Sequence, residues 1–245
     1  MRSSAASDVY KRQRLPSVSA FTLKVTAIVG MTCNHVANVF GDTLPGGAMV
    51  ALYALGGLTF PIMAYLLCEG YRHTSSVRRY ADRLGIFAVI SQVPYSLLFG
   101  ATGNVLITLL IGLGMLWSLD HMRNRMLCAL VMLAGLLVSG LCDWGVIGPV
   151  MILLFWHLHD RPRGVALAML VPLLAFGLPA LSWVLSEATP LSLGVLGYYT
   201  IGFGLAALLM LSYNGRRGRP LKWFFYVYYP AHLMVLWAFA TFLVR

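Results

Sequence analysis

The stretch "TLKVTAIVGMTCNHVANVF" (residues 22–40) is close to the ~20 residues needed to cross a bilayer, yet it carries Lys24 near one end and Asn34 and His35 well inside. Polar groups at that depth are costly unless something satisfies them, so the segment reads as a membrane helix whose histidine has a task. In a helix Lys24 and His35 stand close to three turns apart on one face, about 16 Å along the axis. Ile28, Met31 and Asn38 fill the same stripe, whereas Asn34 lies about a quarter-turn away. A neutral imidazole in such a dry place is a usable general base; Asn34 suits a bond to a neighbouring helix or to the backbone.

The rest of the chain has the same character. Of its 245 residues 59% are hydrophobic and 11% charged, against about 25% charged in ordinary globular domains, and mean hydropathy is +0.78. Gly, Pro and charge divide it into candidate spans at about 21–40, 49–68, 84–99, 103–119, 126–142, 144–158, 164–182, 191–212 and 223–243. The expectation is an all-α polytopic membrane protein of about nine (8–10) transmembrane helices, forming a single domain over residues 14–245. The opening "MRSSAASDVYKRQ" is polar and lacks the apolar core of a signal peptide. Its "SDVYKRQ" resembles translated adapter sequence, so residues 1–13 read as a non-native leader. Without them the formal charge falls from +10 to +8.

Lys and Arg favour cytoplasmic loops. Alternate loops read "GDTLPGG", "GATGN", "LCDWG" and "SEATP", with no basic residue; the others read "EGYRHTSSVRRYADR", "DHMRNR", "HDRPRG" and "NGRRGRPLK". Beyond residue 13, only the terminal Arg245 departs from this alternation. It places the N-terminus in the cytoplasm and the C-terminus outside.

Other polar groups supply further candidates. His232 lies deep in the last span, two residues after Pro230, whose missing amide frees a backbone carbonyl near residue 226. The cluster Arg72, Arg78, Arg79 and Arg83, with Glu69 nearby, either orients the protein against lipid phosphates or binds a polyphosphorylated ligand. His73, His121, His157 and His159 read as interfacial. Asn104 and Thr108 share a helical face near the outer side, and Asp143 with Trp144 forms an outer turn from which the carboxylate could reach His35. The four cysteines lack CxxC or metal-ligand spacing and read as packing residues, so no metal is expected. P-loop, GxSxG and HExxH motifs are absent, and basic residues confined to short membrane-flanking loops disfavour nucleic acid.

Lys24 and His35, with ten residues between them, are similar to the first-helix pattern of the acyltransferase-3 membrane superfamily. The order of the first span, "GLTFPIMAYLLCEGYRHTSSVRRYADRLGIFAVISQVPYSLLFG", "NVLITLLIGLG", "CDWGVIGP" and "FYVYYPAHLMVLW" resembles more specifically the TraX family over roughly 21–243. That family's founding activity is N-terminal acetylation of a conjugative pilin, and its usual Asp-His in the first span is here Asn34-His35. The resemblance implies a multi-pass enzyme of the bacterial cytoplasmic membrane, surrounded by lipid, that moves an acetyl group from cytoplasmic acetyl-CoA to an outer amine or hydroxyl, with a pilin as possible acceptor. Arg72, Arg78 and Arg79 would hold the donor's phosphates beside Tyr71 and Glu69, with Lys24 at the entrance. His35 would act as general base or transient acyl carrier, with Asn34, Asp143 and His232 around it. His232 or Asn104 would hold the thioester carbonyl, while Thr108, Trp144 and Tyr229 complete the acceptor side. The rivals are a proton-coupled transporter of an anionic solute using His35 and His232, and a non-catalytic scaffold of the same fold.

Overall fold

The computed structural model describes residues 17–161 and 163–242, apart from the side chain of Lys222. The leader expected at 1–13 and the terminal Arg245 lie outside the described residues. The described secondary structure is helical, with two isolated bridges and no strand. The helices are α1 (Ala20–Phe40), α2 (Gly46–Gly56), α3 (Thr59–His73), α4 (Val77–Phe99), α5 (Val105–His121), α6 (Arg125–Ser139), α7 (Ile147–His157), α8 (Gly164–Pro172), α9 (Leu178–Ser186), α10 (Pro190–Gly197), α11 (Phe203–Leu211) and α12 (Lys222–Phe242). Three helical rods are long and apolar enough to cross a membrane by length and composition: Gly46–His73, Gly164–Ser186 and Pro190–Leu211.

Local chemistry explains most boundaries. The Ser19 hydroxyl accepts from the Thr22 amide at the start of α1, and Asn104 and Asn124 cap α5 and α6 in the same way. The basic segment between the second and third expected spans is mostly helical, a correction to its reading as a loop. α3 runs to His73, and Ser76 starts α4 by accepting from the Arg79 amide. Arg78, Arg79 and Arg83 therefore project from the first turns of a helix.

Helix α3 is the hub, packing on α1, α5, α7 and α11, while α12 packs on both α1 and α4. Phe60, Ile62, Leu116, Met151, Ile152 and Leu233 are fully shielded in the resulting core. The outer helix α6 instead exposes Met126, Leu130, Leu133 and Leu137, as expected of a face turned to lipid.

Two rods contain one widened turn each, Leu173–Gly177 and Tyr198–Gly202, and a third rod breaks at Gly57–Leu58. These irregularities pack together: a Cβ on Gly57 would overlap the Tyr198 carbonyl, and one on Gly202 would stand 2.5 Å from the Ala54 carbonyl. Only glycine permits this contact, which sets the rings of Tyr198 and Tyr199 in place. Replacing Gly57 by Val should cost about 1–3 kcal/mol by overpacking, read as a lower thermal unfolding midpoint in detergent, whereas Gly47→Ala, which meets open space, should change it little.

Candidate functional site

The stripe of α1 that begins at Lys24 lines a cavity of about 640 Å³ opening at the end of the bundle where the arginines gather. Ile28, Met31, Leu106, Leu109 and Tyr229 form its apolar interior, and Lys24, Arg79, Arg83 and Arg217 line it towards its basic end. One turn beyond Met31, His35 lines a second pocket of about 630 Å³, with Asn34, Asn38, Tyr53, Tyr95, Phe99, Asp143, Trp144, Phe176, Tyr198 and Tyr199 on its walls. His35 thus stands at the inner end of one pocket, a single helical turn from the wall of the other.

Charge differs sharply between the two. In the basic-end cavity the one carboxylate among the described lining residues is Glu69, and it is engaged: its Oε1 lies 2.9 Å from His159 Nε2 and its Oε2 3.8 Å from His73. His159 also meets Asp160 through Nδ1 at 2.8 Å, which sets this histidine between two acids rather than at a bare interface. The Asp160 carboxyl is held below its usual range, first by the His159 hydrogen bond and then by Arg72. The cations keep more freedom. Lys24 lies 5.6 Å from the Phe225 ring centre, Arg83 5.7 Å from that of Tyr80, and the buried Arg83 Nε makes no hydrogen bond among the described residues.

Of Arg72, Arg78 and Arg79, the three that the resemblance gave to the donor's phosphates, only Arg79 lines this cavity. Arg72 turns away to Asp160 at 3.5 Å and to the face of Trp156 at 5.0 Å. Tyr71 donates to Asp120 at 2.8 Å, and Arg78 is exposed off the cavity wall. Arg83 and Arg217 take the places expected of Arg72 and Arg78. The spacing of Arg79 and Arg83, one turn apart on α4, was a usable signal; the arrival of Arg217 from a distant loop was not.

His35 is buried, and its Nδ1 lies 2.7 Å from His232 Nε2, with the two rings within 2° of parallel. His232 Nδ1 lies 3.0 Å from the Tyr228 carbonyl. Phe99 and Tyr229 flank His35 at ring-centre distances of 5.1 and 6.4 Å. Asn34 belongs to another chain of bonds: Tyr53 donates to Asn38, and the Asn38 amide donates to the Asn34 side chain at 3.1 Å and to its carbonyl at 2.8 Å. It makes no hydrogen bond to His35, so residue 34 does not orient that ring.

Asp143 lies in the turn between α6 and α7, outside the helices. Its backbone amide donates to Gly103 at 2.6 Å, and its carbonyl accepts from Thr108. The next residue, Trp144, has φ 69° and stacks on Phe60 at 4.2 Å. Burial pushes the Asp143 carboxyl up to about 6, against a smaller opposing hydrogen bond from the Trp144 amide, and no cation among the described residues pairs with it. Neither Asn104 nor Thr108 reaches a pocket wall. The Asn104 side chain caps α5 and donates to the Ala88 carbonyl and Gln92, and the Thr108 hydroxyl donates to the Asp143 carbonyl; both residues are fully buried.

The family model described as TraX protein matches residues 19–240. The chain belongs to the TraX family. It is similar to the probable fimbrial assembly protein FimC, serogroup H1, of Dichelobacter nodosus, with 32% identity over 242 residues that cover 92% of this chain and 97% of that protein. No solved structure is a significant match. In this TraX family member the far pocket combines one unpaired carboxyl with aromatic walls and no Lys or Arg among its described lining residues, a setting that favours cations. Binding of phenylethylamine to the detergent-solubilised protein, followed by calorimetry, should weaken as pH falls through about 6, where Asp143 takes up its proton, and Asp143→Asn should abolish that dependence.

Proposed function

We propose that this TraX family member is a multi-pass acyltransferase of the bacterial cytoplasmic membrane, with about nine spans and a cytoplasmic N-terminus. It transfers an acetyl or similar acyl group from cytoplasmic acyl-CoA to an amine presented at the outer side. The observation that carries the reading is the position of His35, one helical turn from a cationic cavity and inside a pocket whose only charged lining group among the described residues is a carboxyl. An anionic donor suits the first and a cationic acceptor the second. The basic loops, gathered at one end, orient that end to the cytoplasm.

Lys24, Arg79, Arg83 and Arg217 suit the phosphates of acyl-CoA, because guanidinium groups bind phosphate oxygens in pairs and Arg83 has a donor to spare. The apolar lining beyond them suits the pantetheine arm, which would lie along the Lys24–His35 stripe. Bound there, acyl-CoA supplies an acyl carbon activated as its thioester. On the far side Asp143 attracts an ammonium group and takes its first proton, and the surrounding rings favour the cation further. As the amine nitrogen bonds to the acyl carbon, His35 takes the second proton and returns it to the sulfur when the C–S bond breaks. The related fimbrial assembly protein suggests a pilus subunit as acceptor, its processed N-terminus exposed outside the membrane.

In membranes supplied with acetyl-CoA and a peptide bearing a free N-terminus, His35→Ala should lower kcat by about 10²–10⁴-fold, and Arg83→Ala should chiefly raise KM for the donor. Unchanged acyl transfer by His35→Ala would remove the reading.

A further inference from the structure

We infer that His232 is the positioning residue of the site: it fixes the tautomer of His35 and leaves His35 Nε2 as the atom that exchanges protons. The catalytic meaning of this rests on the acyl-transfer reading above, but the hydrogen-bond argument does not. The Tyr228 carbonyl can only accept, so His232 Nδ1, 3.0 Å away, must carry a hydrogen. Among the described residues no carboxylate lies within ion-pair distance of either ring to balance a second proton, so each imidazole carries one. His232 Nε2 is then a bare acceptor. The contact of 2.7 Å requires His35 Nδ1 to be the donor into it. By elimination His35 Nε2 holds the lone pair.

The chain Tyr228 carbonyl, His232, His35 does what a carboxylate does in a serine-hydrolase triad: it holds the base in one tautomer and orientation. When His35 takes a proton at Nε2, its Nδ1–H bond to His232 becomes charge-assisted and strengthens. Near-parallel rings and the short N···N distance suit this arrangement, since the shared hydrogen then lies close to both ring planes. The aligned ring of Tyr228, 5.2 Å from that of His232, adds a second constraint, and the Tyr228 hydroxyl is tied to Thr32 on α1 at 2.7 Å. His232 is thus held by a backbone carbonyl of α12 and by His35 of α1, while its neighbour Tyr228 is tied to α1 through Thr32. In this arrangement an orienting acid beside His35 is unnecessary.

The test uses the full chain, with all histidines labelled with ¹⁵N, in lipid nanodiscs; the His35→Gln variant identifies the His35 signals. The expected spectrum shows His35 protonated at Nδ1 and bare at Nε2. His232→Leu should abolish that preference, whereas His232→Gln, whose amide oxygen can stand near the position of Nε2, should restore it. In turnover with acetyl-CoA, His232→Leu should lower kcat at least about tenfold with the donor KM unchanged, and His232→Gln should recover most of the loss. A wild-type His35 protonated at Nε2, or one whose tautomer is the same in His232→Leu, overturns the assignment. So does a full kcat in His232→Leu. If the wild type shows no acyl transfer, the proposed function fails, while the nitrogen spectra still decide the pairing.

Discussion

An imidazole placed deep in an apolar helix cannot borrow hydrogen bonds from water, so its partners must come from another part of the chain. In this protein the partner of His35 on the first helix is His232 on the last, 197 residues away, and the short bond between them joins α1 to α12. A hydrogen bond contributes only about 1 kcal/mol net, but leaving either ring unpaired in this setting costs more. The pairing therefore fixes where the two helices meet. With α12 anchored on α1 and packed on α4, the basic-end cavity acquires three of its walls, and Tyr226 and Tyr229 of α12 become part of its lining.

Around that pair the charges are sorted. Towards one end Lys24, Arg79, Arg83 and Arg217 share a cavity whose only carboxylate among the described residues is engaged by His159 and His73. Towards the other, Asp143 faces aromatic rings with no Lys or Arg among the described lining residues. Separation of this kind costs stability, because like charges repel and an unpaired carboxyl is desolvated. It suits the proposed transfer, in which an anion would enter from one side and a cation from the other. The twin widened turns and the glycine contact at Gly57 and Gly202 belong to the same design, since they set Phe176, Tyr198 and Tyr199 around the far pocket.

Much of this could be read from sequence wherever a single helix carried the information. The three-turn spacing of Lys24 and His35 on α1, the depth of His232 and the sorting of Lys and Arg between alternate loops are local or periodic signals. The helical character of the chain was also legible, and three rods among the described residues are long and apolar enough to cross a membrane by length and composition. What escaped was side-chain direction. Arg72, Arg79 and Arg83 look equivalent as letters, yet Arg72 faces Trp156 and Asp160 while the other two face the cavity. Asn104 looks like a polar group in a span and is in fact a helix cap. Asn34 looks like the neighbour that orients His35, but adjacent residues on a helix point about 100° apart, and its bonds run to Asn38. The bond from His35 to His232 and the arrival of Arg217 depend on tertiary packing and leave no mark in spacing.

The central claim is that His35 works between two pockets opening to opposite sides of a membrane. The most direct measurement reconstitutes the protein into sealed vesicles in one orientation, with acetyl-CoA confined to the side of the basic loops and a membrane-impermeant peptide amine to the other, and follows the acetylated peptide by mass spectrometry. The account predicts acetylated peptide from that arrangement and none when both reactants are confined to either single side. Product formed only when donor and acceptor share a compartment would contradict it.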